Sequence, residues 1–327
     1  MQPGQSSIGP PAWFEHTPVE LRFGTSGLRG LVRDMTDLEI CVATSGFLAY
    51  LKSRAELDPG EALAIAEDLR LTDPTTGLES SPRIARAVAR AARDAGLRPV
   101  HCGRIPTPAL AHWAMRRDPG AGKEPMACVM VTGSHIPADR NGVKFYRKSG
   151  EILKADEAGI IAAVGAARTA AYAQGEQESP FDARGMLKRR FEPEPAHPGA
   201  ERAYVARYAG AFGDARPLAG RRIVVYQHGA VGRDLLVQIF AALGADVVAV
   251  GRSEEFVPVD TEDISPAQEA RYAALVAEHR ADALVSTDGD GDRPLVVDET
   301  GRFRRGDVLG TVAAGPSWFF SSRTAPG

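Results

Sequence analysis

Three aspartates at alternate positions, Asp288, Asp290 and Asp292, lie in the run Ser286-Thr287-Asp288-Gly289-Asp290-Gly291-Asp292-Arg293-Pro294. The intervening glycines let the backbone curl, so three carboxylates can aim at one point. Their mutual repulsion is large unless a cation sits between them, and an all-oxygen donor set suits Mg²⁺, Mn²⁺ or Ca²⁺ better than zinc. An EF-hand loop is excluded even though Asp288, Asp290, Asp292 and Glu299 fall on four of its ligand positions. Where that loop needs its turn glycine stands Arg293, a proline follows, and strand-like sequence flanks the run instead of helices. A solvated acidic turn is the bland alternative. Arg293, directly after the carboxylates, is placed to bind a phosphate that also touches the metal.

The second chemical signal is VTGSHIPADRNGVKFY, residues 131–146. Ser134 lies just past the C-terminal end of an apolar, β-leaning run, where open α/β sheets place their ligands. A serine hydroxyl is a weak nucleophile unless a base or metal assists it, and the same window holds His135 and Lys144. The alternative is that Gly133, Pro137, Asn141 and Gly142 make two turns while the serine satisfies a backbone donor. A third segment, RFGTSGLRG (22–30), is a glycine-rich loop carrying Arg22 and Arg29. It can approach a phosphate closely, or simply turn the chain before the first helix.

These loops need a scaffold, and strand-like and helical patterns alternate along the chain. Helical spacing covers 37–53, 82–95 and 108–117, with short apolar strands at 62–67, 99–102 and 127–132. A Gln, Glu, Pro, Arg and Gly-rich stretch then marks a boundary, with 176–199 read as a linker. Beyond it, helices at 200–212, 231–243 and 266–280 alternate with strands at 222–226, 246–250, 283–287 and 295–298. The expected fold class is α/β: two consecutive α/β/α domains with mostly parallel mixed sheets, plus the start of a third. The expected divisions are a disordered tail over 1–19, a first domain over 20–175, a second over 200–305, and a fragment over 306–327. Within that fragment, residues 311–327 read as neither a completed helix nor the next strand, and they carry the adjacent aromatics Trp318, Phe319 and Phe320.

Composition narrows the function classes. The 327 residues are 44% hydrophobic and 25% charged, which is ordinary for a globular chain and unlike disorder. With Lys and Arg at 39 against Asp and Glu at 42, no global field draws the chain to nucleic acid or an anionic membrane, so phosphate recognition must be local. No apolar run is long enough to span a bilayer, and the N-terminus lacks the pattern of a secretory signal. Three widely spaced cysteines, Cys41, Cys102 and Cys128, point to neither a disulfide framework nor structural zinc, and a reducing cytoplasm is the expected setting.

Taken together, RFGTSGLRG, VTGSHIPADRNGVKFY and DGDGDRP, in this order and spacing, resemble the α-D-phosphohexomutase family of phosphomannomutases and phosphoglucomutases. SSPRIARAV, GRIPTPAL and GDVLG add weaker matches, and the serine loop looks most like bacterial phosphomannomutases. The resemblance runs from about residue 21 to 310 and implies a hexose 1-phosphate to 6-phosphate interconversion through a phosphoserine and a bisphosphorylated sugar. It implies that Ser134 carries the phosphoryl group and that Asp288, Asp290 and Asp292, with a phosphoserine oxygen of Ser134, hold one Mg²⁺. Lys144 is implied as general acid/base, and His135, Arg29, Arg293 and Arg22 as groups that position phosphoryl oxygens. A hexose 1,6-bisphosphate is the implied activator, a hexose phosphate the substrate, and a monomer or weak dimer the assembly, without nucleic acid or membrane partners. The family's GE-x-SGH and R-x-SGT loops do not occur here, so the expectation is a chain truncated after the second domain. A catalytically silent remnant that binds only divalent metal or sugar phosphate, and a phosphoglucomutase, stand as alternatives.

Overall fold

The apolar runs 62–67 and 127–131 become central strands of a sheet whose two faces are both covered by helices. The computed structural model describes residues 9–15, 22–23, 27–118, 120 and 122–321, and the side chains of 22–23 and 316–321 lie outside the description. The chain divides into two compact units, 1–204 and 205–327.

In the first unit, β1 (Arg22–Phe23), β2 (Gly27–Leu31), β3 (Ala62–Glu67), β4 (Arg98–Arg104), β5 (Ala127–Val131) and β6 (Arg140–Arg147) lie in the order β1-β2-β6-β5-β3-β4. β7 (Gly150–Glu151) pairs with β6. Only β3 with β4 and β3 with β5 are parallel, while the other pairings are antiparallel. The class is the expected mixed α/β, but the balance differs from mostly parallel because β6, which contains the Asn141-Gly142 pair that the alternative reading assigned to a turn, runs antiparallel to both β2 and β5. Alternation along the central strands sorts side chains to two faces. Leu63, Ile65, Val129, Val131, Val143 and Phe145 enter one core with α1 (Asp37–Ser53), α2 (Ser81–Asp94) and α4 (Glu157–Tyr172). Ala64, Ala66, Cys128, Met130 and Tyr146 enter the other with α3 (Thr107–Met115).

Several segments depart from expectation. Residues 176–199 do not hang free as a linker: Phe181 and Phe191 are buried in the first core, and the Leu187 N–H donates to Asp37 Oδ2 at 3.0 Å. Their aromatic side chains supply burial that a reading on proline and charge overlooks. Of the expected tail, 1–8 and 16–19 lie outside the described residues. Trp13 and Phe14 are held in place, the Trp13 indole N–H donating to the Gln174 carbonyl at 3.4 Å and Phe14 meeting Tyr172 edge-on at 5.9 Å.

In the second unit, β8 (Arg222–His228), β9 (Asp246–Arg252), β10 (Ala283–Thr287), β11 (Pro294–Asp298) and β12 (Phe303–Arg304) form a sheet in the order β12-β11-β10-β8-β9. β8 is parallel to β9 and β10, and β10 turns back antiparallel into β11. α6 (Arg233–Ala242) covers Ile223, Val225 and Val285, and α7 (Pro266–His279) covers Val224, Leu284 and Leu295 on the other face. α7 starts as its sequence dictates: Ser265 and Gln268 form a reciprocal capping box ahead of Pro266. α5 (Gly199–Gly210) crosses the division between the units. The C-terminal stretch forms α8 (Gly306–Ser321), in contrast to the expectation that it completes no helix. The Asp307 carboxylate accepts from the Val308 N–H at 2.8 Å at its start, where an acidic group suits the helix dipole, and this offsets part of the cost of Gly310 and Gly315.

Phe47 of α1 is fully buried and stacks on Phe145 of β6 at 4.6 Å, tying the helix to the strand that carries Lys144. Phe47→Ala is expected to destabilise the first unit by about 3–5 kcal/mol in urea denaturation followed by circular dichroism. A loss below about 1 kcal/mol would contradict this placement of the core.

Candidate active site

β5 is buried along its whole length and delivers the chain to Thr132, where the serine loop begins. Position 133 favours glycine: a Cβ there would lie 2.9 Å from Arg70 Cζ and from Ile136 Cγ1, so one of these buried or half-buried side chains would have to shift. Ser134 follows in the left-handed region at φ 57°, which costs a non-glycine residue roughly 1–2 kcal/mol. Two hydrogen bonds offset that cost. The Ser134 N–H donates to Thr132 Oγ1 at 2.8 Å, and its carbonyl accepts from Arg70 Nη2 at 2.9 Å. Ser134 Oγ lies 3.4 Å from His135 Nδ1, and Ser134 itself is 1% exposed. Such a long contact between a hydroxyl and an imidazole is usual before substrate binds.

Lys144 lies on β6, buried, in register with Met130 of β5 and Gly27 of β2. Two residues from it, Gly142 pairs with Arg29 of β2, so register brings Arg29 and Lys144 to adjacent strands, with the Arg29 side chain exposed. Arg22 pairs with Arg29 through β1, and its side chain lies outside the description. Gly24, Thr25 and Ser26 of the glycine-rich loop also lie outside the described residues.

Sequence reasoning did not find the group that supports this loop. Asp68 and Arg70, just beyond β3, are both fully buried and paired. Asp68 also accepts from Ser81 Oγ at 2.6 Å and Thr132 Oγ1 at 2.8 Å, and Arg70 Nη2 donates to the Ile136 carbonyl at 2.7 Å. Asn141 Nδ2 donates to both Ser80 Oγ and Ser81 Oγ at 2.9 Å. The sequence shows only a polar loop before a helix start, and nothing local ties residue 70 to residue 134.

The acidic loop joins β10 to β11. Asp288, Asp290 and Asp292 each offer a carboxylate oxygen within 4.8 Å of the others, and Asp288 and Asp290 are fully buried. The fold of the loop follows from Asp288, whose Oδ1 accepts from the N–H groups of Gly291 (3.1 Å) and Arg293 (3.3 Å). Gly291 supplies the left-handed turn at φ 77° that this requires. At an effective dielectric of about 20, carboxylates at this separation repel by about 3 kcal/mol per pair, more than a surface turn can hold. The donor set therefore fits a hard divalent cation. Beneath it, His228 at the end of β8 donates from Nε2 to the Thr287 carbonyl at 2.9 Å, and burial pushes its pKa down, favouring the neutral ring. Arg293 pairs with Glu262 at 3.0 Å and, with Arg305, lines a cleft of about 340 Å³ beside Asp292.

Other reactive groups fit catalysis less well. Burial pushes the Cys102 thiol up to about 12 and the Cys41 and Cys128 thiols higher, so none offers a thiolate. A cleft of about 700 Å³, with Arg98, Trp113 and His197 in its lining, opens at the N-terminal ends of β3, β4 and β5. Sheets of this kind place their chemistry at the carboxyl ends.

Two family models match the chain: phosphoglucomutase/phosphomannomutase alpha/beta/alpha domain I over residues 20–171 and domain II over residues 202–301. The chain belongs to the phosphoglucomutase/phosphomannomutase family. It is 40% identical over 296 residues to a phosphomannomutase of Salmonella muenchen, across 90% of this chain and 54% of that one. A phosphomannomutase of Sinorhizobium fredii is 42% identical over 293 residues, 90% of this chain and 56% of that one. A phosphoglucosamine mutase of Neisseria meningitidis serogroup B is more distant, 28% identical over 293 residues, 89% of this chain and 60% of that one. The chain thus spans about half the length of the curated phosphomannomutases it matches. The same fold occurs in a phosphoglucomutase/phosphomannomutase family protein of Burkholderia thailandensis, with TM-score 0.67 at 22% identity over 92% of this chain and 60% of that one.

Saturating Mg²⁺ at 100 times its dissociation constant is expected to stabilise the second unit by about 2.7 kcal/mol, on the order of 10 °C in melting temperature. Asp290→Asn is expected to abolish that shift in differential scanning calorimetry, and a shift that survives it would remove the loop as the metal site.

Proposed function

We propose that this protein is a phosphohexomutase, phosphomannomutase-like in substrate, that interconverts hexose 1-phosphate and 6-phosphate through a phosphorylated Ser134. The observation that carries this reading is Ser134 itself, held in a strained backbone conformation beside His135 at the carboxyl end of β5. The 40% and 42% identities to phosphomannomutases, against 28% to a phosphoglucosamine mutase, support mannose phosphate as substrate. The setting in this reading is cytoplasmic, with the protein acting as a monomer or weak dimer. No helix among the described residues is long and apolar enough to cross a membrane.

In the forward half-reaction, the free hydroxyl of a hexose phosphate attacks the phosphorus on Ser134 while Lys144 takes its proton. The bond from Ser134 Oγ to phosphorus breaks and a sugar bisphosphate forms. The sugar then reorients, Ser134 Oγ attacks its other phosphate, and Lys144 returns a proton to the departing sugar oxygen. Such proton transfer contributes typically 10²- to 10⁴-fold. Arg29, Arg22, Arg293 and His135 orient the phosphoryl oxygens, since this chemistry depends chiefly on position and charge neutralisation. Asp288, Asp290 and Asp292 would hold Mg²⁺, which would supply positive charge for the transferring phosphoryl group. A hexose 1,6-bisphosphate loads Ser134 for the first turnover.

The test is intact mass after incubation with Mg²⁺ and mannose or glucose 1,6-bisphosphate. The wild type is expected to gain one phosphoryl group, faster from the mannose compound, and Ser134→Ala none. Equal gain by the alanine variant would overturn the nucleophile. No gain by a folded wild type that still binds Mg²⁺ would favour a metal-binding protein without transfer activity.

A further inference from the structure

We propose that Asp68, Arg70 and Thr132 form a clamp that positions Ser134 for phosphoryl transfer, an inference that rests on the mutase reading above. The clamp grips Ser134 at both ends of its backbone. On the amide side, Thr132 Oγ1 accepts from the Ser134 N–H at 2.8 Å and donates its own proton to Asp68 Oδ2 at 2.8 Å. On the carbonyl side, Arg70 Nη2 donates to the carbonyls of Ser134 at 2.9 Å and Ile136 at 2.7 Å, while Nη1 donates to Asp68. One carboxylate thus organises both arms: it fixes the guanidinium directly and aims the threonine hydroxyl so that its lone pairs face Ser134.

This geometry explains the backbone of the loop. A free serine visits the left-handed region rarely, roughly 5- to 30-fold less than the favoured regions for a cost of about 1–2 kcal/mol. Ser134 stays there at φ 57° because its N–H and C=O each have one fixed partner. The carbonyls on either side of His135 are also pinned, by the Ser134 and Ile136 bonds to Arg70, so the His135 ring is presented to Ser134 Oγ from an anchored backbone. A lysine at position 70 has a single ammonium centre and cannot reach two carbonyls and a carboxylate with the guanidinium's planar fork. The clamp is itself anchored, since Ser81 Oγ donates to Asp68 Oδ1 at 2.6 Å and the Ser81 N–H donates to the Arg70 carbonyl at 2.8 Å at the start of α2. These residues touch neither substrate nor reacting atoms in the proposal, and they act through the backbone of Ser134.

The experiment uses the full chain with Thr132→Val, Thr132→Ser and Arg70→Lys, and reads two quantities. One is the hydrogen exchange rate of the Ser134 amide by NMR. The other is the rate of phosphoryl gain on Ser134 from mannose 1,6-bisphosphate with Mg²⁺, by intact mass. Thr132→Val preserves shape and removes the hydroxyl. It is expected to speed Ser134 exchange at least tenfold and slow phosphoryl gain roughly 5- to 30-fold, with the β5 amides 127–131 unchanged. Thr132→Ser, which keeps the hydroxyl, is expected to restore both to near wild type, and Arg70→Lys to resemble Thr132→Val if it folds. Wild-type exchange at Ser134 in Thr132→Val, or faster exchange with an unchanged rate of phosphoryl gain, would overturn the clamp. Faster exchange spread through β5 would reduce it to general stability and overturn it equally. If the wild type gains no phosphoryl group at all, the mutase reading fails, and the exchange arm alone then decides whether the clamp holds the loop.

Discussion

Placing a guanidinium and a carboxylate where neither meets water costs several kcal/mol per ion, and pairing them offsets this only when their other hydrogen-bonding positions are also filled. The Asp68 and Arg70 pair fills most of these positions with loop groups: the Asp68 oxygens take Ser81, Thr132 and the Arg70 N–H, and the guanidinium Nη2 takes two carbonyls of the serine loop. The carboxyl end of the first sheet is therefore not a set of independent turns. The loop after β3, the start of α2, the serine loop and the first residues of β6 share one buried polar network, and losing any member leaves another buried group without its partner.

The two units use the same local device. In each, a buried strand with a parallel neighbour, β5 or β10, ends in a short polar loop and returns antiparallel as β6 or β11. The parallel partner fixes where the strand ends, and the antiparallel return fixes both ends of the loop. The loop can then hold an unfavourable arrangement, a left-handed serine in one case and three crowded carboxylates in the other. Glycine sits where each arrangement favours it, at Gly133 because Arg70 leaves little room for a Cβ and at Gly291 because the turn needs positive φ.

What the sequence made legible follows from how local each signal is. The helix over 37–53 and the strand over 283–287 were readable to the residue because their patterns are complete within themselves. The convergence of Asp288, Asp290 and Asp292 was readable because glycines between alternate carboxylates let a single turn gather them. β6 was hidden because Asn141-Gly142 carries the usual signature of a turn, yet here the Asn141 amide is spent on Ser80 and Ser81, sequence-distant groups that hold it in strand geometry. α8 was hidden by its three glycines and its proline. The Asp68 and Arg70 pair was invisible in principle: its partners lie 64 residues away, and a charged loop looks the same whether its charges meet water or each other.

The charge balance of that pair bears on why it suits a site whose own charge changes. A lone buried arginine next to Ser134 would bind a phosphoryl group directly, and its grip on the backbone would then differ between the phosphorylated and free serine. Asp68 neutralises Arg70 within the network, so the pair exerts a strong local constraint and only a weak field at Ser134 Oγ. In the proposed reading, the charge that a phosphoryl group demands falls to groups outside the clamp, Lys144 and Arg29 on neighbouring strands and His135 beside the hydroxyl. In the proposed reading, separating the groups that fix position from those that meet charge would let the serine gain and lose a dianion without releasing its backbone. That is a requirement for any residue that must serve alternately as nucleophile and leaving group.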